Sequence, residues 1–363
     1  MNTDNKNENG SEAKAKEETA TLKLGLDVHA AQITMCRQWE GLGPQPAQKL
    51  SWEKALKWIQ EQVEAGVKVH SCYEAGPCGY GLHRILESMG VENLVIVPQR
   101  WDTSGQRVKT DKRDARELVD RLDRYLRGNK KVFAVVKVPS PEQEQTRCVA
   151  RQRGAILKER NRCVVRGHGM MLVQGVQAPG NWWRPGRWEE FGGKLPGWLR
   201  EQVALWQKKA VEFEKEVAAL NKEITVQTSG KMLPKGLGSL TTALLGAEVL
   251  DWNRFKNRRQ VASYTGLCPG EHSSGERRRQ GSITKHGNPR IRHHLVEAIW
   301  RLEKWQPDYQ PIKKLLAAGA GRSRKRMAVA AARRLAIDLW RIETGQCSAQ
   351  SLGLVLMPAA AKA

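Results

Sequence analysis

The sequence predicts an α/β domain followed by a larger, mostly helical region. Short apolar segments alternate with amphipathic helical patterns from residue 21 to about 138, as in a sheet covered by helices. Two long helical patterns of similar length follow, with no strand pattern between them. From Leu233 onward, helical stretches return around a Gly- and Arg-rich segment. At 363 residues the chain is too long for one ordinary domain and suggests two or three.

The elements of the first domain read off in order. Thr21–Trp39 alternates apolar and polar residues, giving two strands with a turn near His29–Ala31. Residues 51–65 place Trp52, Leu56 and Ile59 at helical spacing. Residues 68–75 (KVHSCYEA) read as a strand, and 79–90 as a helix closed by Gly90. NLVIVP at 93–98 is a short apolar run ended by proline, which fits a buried strand. In VKTDKRDARELVDRL, Ala115, Leu118, Val119 and Leu122 give one apolar helical face, continued by Leu126.

Ser140-Pro141-Glu142 is a helix start: a capping side chain, a proline at the first position and an acid in the first turn. A polar helical pattern runs from there to about Val165, and a second covers about 197–226. Together, over 139–228, they suggest an antiparallel coiled-coil arm or a bundle. Residues 175–197 look like a connection. Most of the thirteen tryptophans suit packing, but Trp182 and Trp183 also suit stacking on bases. LPKGLGSLTT (233–242) has a Gly-x-Gly turn that fits a helix-hairpin-helix or an ordinary helical corner. Residues 1–20 read as a disordered tail, and 346–363 as a second tail, loose from about 353.

The formal net charge is +23, which argues for a polyanionic partner, nucleic acid first. Seven scattered cysteines form no CxxC pair, so neither a zinc site nor a disulfide frame is indicated. They fit a cytoplasmic protein, associated with the nucleoid when active. No apolar run approaches a membrane span of ~20 residues, and the N-terminus lacks the apolar core of a signal peptide.

The acids of the first domain fall at telling places. Asp27 ends the first strand, Glu74 ends a later one, and Asp111 and Asp114 open the following helix. Strand ends on one edge of an α/β sheet converge, and i, i+3 positions share a helix face. Four clustered carboxylates repel and need compensating charge. Mg²⁺ supplies it, or Mn²⁺, and two such ions can drive phosphoryl transfer. Lys109, Lys112 and Arg113 would then hold a phosphodiester backbone. Taken singly, any one acid reads better as a cap or surface residue, and Asp111 and Asp114 as first-turn acids favoured by the helix dipole; only the joint placement of all four raises the metal reading.

Four motifs in this order resemble the DEDD transposases of the IS110 insertion-sequence family, in its IS1111 branch. They are GLDVH around Asp27, YEAGPCGYGL around Glu74, KTDKRDAREL around Asp111 and Asp114, and Phe255–Leu295. The resemblance spans about 21–345. It implies an RNase H-like, RuvC-type catalytic domain at 21–138, a helical coiled-coil arm at 139–228, and a mostly helical transposase domain at 229–345. It also implies that the four acids ligate Mg²⁺ and that Ser274, with Ser273 beside it, is the nucleophile that links covalently to DNA. The partners it implies are donor and target DNA and an element-encoded noncoding bridge RNA, with homodimers assembling into tetramers.

The serine segment is compatible on its own terms. From Arg254 to Arg292 there are ten Lys and Arg against two Glu. Arg277, Arg278 and Arg279 could stabilise developing charge, while Lys285, Arg290 and Arg292 read as backbone contacts. A mobile basic loop has the same composition. Two other functions fit the residues: a stand-alone RuvC-like, structure-specific endonuclease, and a non-enzymatic nucleic-acid-binding protein.

Overall fold

The computed structural model of the chain describes residues 20–98, 110–271 and 279–359. They divide into two compact units, meeting in sequence between Val138 and Pro139.

The first unit is built on β1 (Thr21–Val28), β2 (Gln32–Trp39), β3 (Gln48–Ser51), α1 (Trp52–Glu64), β4 (Lys68–Glu74), α2 (Gly81–Ser88), β5 (Glu92–Ile96) and α3 (Asp111–Leu126). One sheet holds all five strands in the order β3-β2-β1-β4-β5. β1 and β2 form an antiparallel hairpin, whereas β1–β4 and β4–β5 are parallel. The alternation along β1 divides the faces. Leu22, Leu24 and Leu26 join Ile59 of α1 and Leu82 and Leu86 of α2 in one core. Lys23 and Gly25 face α3 instead.

Two features fix α3 on the sheet. A Cβ on Gly25 would lie 2.2 Å from the Ala115 carbonyl oxygen and 2.5 Å from the Val119 nitrogen, so only glycine admits the helix this close. At the far end, buried Lys23 donates to Asp123 at 2.6 Å. Pairing 25 with 115 and 119, and 23 with 123, makes α3 run antiparallel to β1. Its N-terminus therefore lies at the C-terminal end of β1.

The second unit opens with an antiparallel helix pair, α4 (Pro141–Val173) and, after the short α5 (Pro185–Gly192), α6 (Gly197–Thr225). Arg153 bonds Asn221, and Arg160 pairs with Glu214, which fixes the direction. Ser140 and Gln143 form a capping box at the start of α4. Then come β6 (Met232–Pro234), α7 (Ser239–Val249), α8 (Arg258–Thr265), β7 (Pro269–Glu271), β8 (Gln280–Ile283), α9 (Pro289–Trp305), α10 (Gln310–Leu316), α11 (Arg322–Glu343) and β9 (Leu356–Pro358). A core of Leu295, Ile299, Ile312, Ala332, Leu335 and their neighbours joins α7 through α11.

The structure departs from the sequence expectations at several points. β3 is an edge strand of mostly exposed residues, with no apolar signal to announce it. The stretch 175–197 contains α5, and α4 runs on to Val173. Leu233 lies in a strand rather than a helix, and residues 356–358 pair with it antiparallel instead of trailing loose. Trp182 and Trp183 are buried within the α4–α6 core, so they present no face to a base. The Trp182 ring occupies the space that a side chain at Gly167 would fill.

Candidate active site

The parallel register between β1 and β4 runs to Leu26 opposite Tyr73. One residue further, Asp27 and Glu74 stand side by side on neighbouring strands, roughly 4.8 Å apart along the backbone. The antiparallel course of α3 brings Asp111 and Asp114 to the same end. The glycine contact and the Lys23–Asp123 pair thus bring the N-terminus of α3 to the strand end that carries Asp27 and Glu74. The donor atoms that meet there among the described residues are those of Asp27, His29 and Asp111, a group that includes neither Glu74 nor Asp114.

Two residues join them that the sequence did not single out. The His29 Nε2 lies 3.2 Å from Asp27 Oδ2 and 3.8 Å from Asp111 Oδ1. Donor atoms of Asp27, His29 and Asp111 all lie within 4.8 Å of one another. The Lys49 Nζ, from edge strand β3, donates to Asp111 Oδ2 at 2.6 Å. The His29 turn is itself tied down, because Trp52 Nε1 donates to its carbonyl at 2.9 Å.

The electrostatics are those of a crowded acid cluster. Burial raises the Asp27 carboxyl above its ordinary value; His29 opposes this, and the charges of Asp114 and Asp111 add to it. Asp111 is held below its ordinary value, chiefly by the hydrogen bond from Lys49. Asp27 is therefore a carboxylate short of positive charge, and the cluster offers hard oxygen donors plus one imidazole. A divalent cation fits that donor set.

Of the expected nucleic-acid contacts, Lys112 and Arg113 stand exposed on the first turn of α3. Lys109, Ser273, Ser274, Arg277 and Arg278 lie outside the described residues. The strands flanking that serine segment, β7 and β8, pair antiparallel. Their base is a tight glycine contact: a Cβ on Gly287 would fall 2.3 Å from the Gly266 nitrogen and from the Tyr264 carbonyl oxygen. Gly266 itself adopts φ +66°, where glycine is favoured. Arg279 and Lys285 are exposed beside this hairpin, and Arg290 is exposed at the start of α9. Arg292 is half-buried and spends one donor on the Thr265 carbonyl at 3.0 Å.

Beneath the hairpin sits Glu248, 2% exposed. It accepts from Arg151 Nε and Nη2 at 3.0 and 3.1 Å and from Asn288, the cap of α9, at 2.7 Å. Burial alone would raise its pKa. The bonds from Arg151 and Asn288 and the charges of Arg151 and Arg147 reverse that, and the net direction is down. His294 nearby is held at about 4 by burial and by the charges of His293, Arg153 and Arg301, so it is neutral at pH 7.

The model of the transposase IS116/IS110/IS902 family matches residues 232–312, from β6 into α10. A putative transposase of Sinorhizobium fredii, y4rJ, is 36% identical over 298 residues, which cover 74% of this chain and 75% of the relative. The chain belongs to the IS116/IS110/IS902 transposase family. Similarity to the transposase for insertion sequence element IS1111A of Coxiella burnetii is 26% identity over 90% of this chain and 92% of that one. The transposase for element IS1533 of Leptospira borgpetersenii is 24% identical over 77% and 84%. In this IS110-family chain, the matched segment 232–312 contains Glu248, both tight glycines and the whole β7–β8 hairpin. Among the described residues, no helix is long and apolar enough to cross a membrane.

Proposed function

We propose that this chain is the transposase of an insertion sequence. It cuts and rejoins donor and target DNA by phosphoryl transfer, with Mg²⁺ or Mn²⁺ at Asp27, Glu74, Asp111 and Asp114. The observation that carries the reading is the meeting of Asp27, His29 and Asp111 at the strand end capped by the α3 N-terminus. The five-strand order, with an antiparallel edge hairpin and a parallel half, supports an RNase H-like, RuvC-type domain. When bound, the cations supply Lewis-acid stabilisation of charge on the phosphoryl oxygens. Asp27 and Glu74 hold their positions through the sheet, and Asp111 and Asp114 through α3.

Ser274 is the nucleophile of this reading. Its Oγ forms a bond to phosphorus as the bond from phosphorus to a sugar oxygen breaks. The serine proton passes to the solvent or a base, and the departing oxygen gains one. A sugar hydroxyl of the exchanged strand then attacks the phosphoserine, and the serine oxygen leaves. The basic residues at 277–279, with Lys112, Arg113, Lys285 and Arg290, hold the phosphate backbone. The element's bridge RNA supplies target choice by base pairing, and dimers assemble into tetramers so that acids and serine of different protomers can meet.

The test is strand exchange on element-end DNA with the bridge RNA present. Asp27→Ala, Asp111→Ala and Ser274→Ala should each stop exchange. Only chains that keep the serine should become covalently attached to DNA. Cleavage retained by Ser274→Ala would mean a hydrolytic nuclease instead.

A further inference from the structure

The second unit holds a cavity of about 580 Å³ at the α10–α11 corner, a size typical of ligand sites. Pro311, Met327, Ala330 and Leu352 give it apolar walls. Its deep end is polar. Asp338, 1% exposed, accepts through Oδ2 from the Tyr309 hydroxyl at 2.7 Å and from Arg334 Nε at 2.9 Å. Its other oxygen, Oδ1, is buried and has no hydrogen-bond donor among the described residues; Arg341 Nη1 stays 3.7 Å away.

This arrangement aims a cation. The Nε of Arg334 is committed to a buried carboxylate, which fixes the plane of the guanidinium. Its two Nη groups have no hydrogen-bond partner among the described residues, and Arg334 is one of the residues that line the cavity. Lys314, exposed, lines the same cavity. The two cations that line the cavity, Lys314 and Arg334, outnumber its one carboxylate, which already accepts from Arg334 and Tyr309, so a metal ion or an amine is disfavoured and an anion favoured. A forked guanidinium suits phosphate, and the apolar walls suit a flat ring. A nucleotide joins a phosphate to a flat ring.

The helix surface leading to the cavity argues for a strand rather than a free nucleotide. Arg322, Arg326, Ala330 and Arg334 recur every four residues along α11, so they form one slanting row on its surface. Cations at the N-terminal end of a helix oppose its dipole. Arg322, Arg324, Lys325 and Arg326 crowd that end without an acid in the first turn.

We propose that this cavity seats one unpaired nucleotide of a nucleic-acid strand. The ring lies against Met327, Ala330 and Leu352, the phosphate lies on Arg334 and Lys314, and the neighbouring phosphates follow Arg326 and Arg322. The proposal does not rest on the acid cluster of the first unit, and its test needs no strand exchange.

The probe is a short single-stranded DNA carrying one internal 4-thiothymidine, photocrosslinked to the full chain and mapped by mass spectrometry. The expected crosslink falls on the peptide containing Met327. Ala330 is exposed, so Ala330→Trp fills the mouth without touching the core, and it should cut that crosslink about tenfold. Lys314→Glu should cut it about fivefold. Duplex DNA should bind both variants within about twofold of wild type, since duplex has no free nucleotide to insert. Crosslinks elsewhere, or an undiminished crosslink in Ala330→Trp, would overturn the proposal. So would thymidine monophosphate competing as well as unlabelled strand, because the site would then serve a free nucleotide.

Discussion

Asp27 in the first unit and Glu248 in the second are both carboxylates set among cations, and their surroundings push them in opposite directions. Glu248 is almost sealed from water and fully matched, with two bonds from Arg151 and one from Asn288. Its pKa falls despite burial. Asp27 is half-buried, has one histidine beside it and two further acids nearby, and its pKa rises. One acid is spent on joining α4, α7 and the cap of α9. The other is left needing positive charge. The difference separates a structural tie from a reactive site more clearly than acidity or burial does alone, since unmet electrostatic demand is common where chemistry is done.

That contrast is sharpest when both are removed. Asp27→Ala should lower strand exchange by about a thousandfold or more, as loss of a metal ligand does, while the melting temperature holds. Glu248→Ala should do the reverse. It should cost about 3 kcal/mol of folding stability, the low end for breaking a buried pair because Arg151 can turn to solvent. Activity per folded molecule should be largely kept. The sign with pH follows from the lowered pKa. The stabilisation by Glu248 is present above its unfolded value of 4.5 and is lost as pH falls through the lower folded value. Denaturant melts of wild type and Glu248→Ala should therefore converge in acid. If Glu248→Ala instead destroys exchange with no loss of stability, the two acids do not divide as argued.

Gly25 tests what aims the site. Gly25→Ala places a methyl 2.2 Å from a helix carbonyl, so α3 must shift. A stability loss of about 2 kcal/mol is expected. Activity should fall further than the unfolded fraction explains, because Asp111 and Asp114 ride on that helix. Activity tracking the folded fraction alone would show that the cluster tolerates the shift.

The legible part of this site was the part carried by periodicity. Asp27 and Glu74 close apolar strands, and Asp111 and Asp114 open a helix whose apolar face is explicit in the chain. Topology then needed only the rule that strand ends converge. Lys49 was hidden because QKLS is a four-residue edge strand with mostly exposed side chains, which alternation cannot detect. His29 reads as part of a turn, though its place two residues after Asp27, just past the end of β1, is the available signal. Trp182 and Trp183 misled in the other direction. Their neighbours are Gly, Pro and Arg, the composition of an open loop, yet α4 and α6 close over them through a glycine seat 15 residues earlier at Gly167. Packing between distant helices leaves no local trace there.

Lys49 also sets a smaller test. Its ammonium competes with any cation for Asp111 Oδ2. Lys49→Met should lower the Mg²⁺ concentration for half-maximal exchange a few-fold, the scale of an exposed ion pair. An unchanged midpoint would mean that Lys49 leaves the carboxylate at no cost.

The smallest effect is the most specific to the comparison. A folded-state pKa above the unfolded 3.8 means that the protonated form of Asp27 is favoured by folding. Any stability from that preference is full below pH 3.8 and is lost as pH rises through the raised folded value. Near neutral pH the charged wild-type side chain is therefore a small burden, which Asp27→Asn removes. The variant should be more stable at pH 7 by less than about 1 kcal/mol, with the gap closing toward pH 3. Mg²⁺ should close the gap at pH 7 as well, by stabilising wild type alone. Glu248→Gln should show neither behaviour: it should be less stable at pH 7, with or without Mg²⁺. A wild type that gains nothing from Mg²⁺ while Asp27→Asn still melts higher would place the strain at Asp27 in packing, and the charge argument for the site would fail.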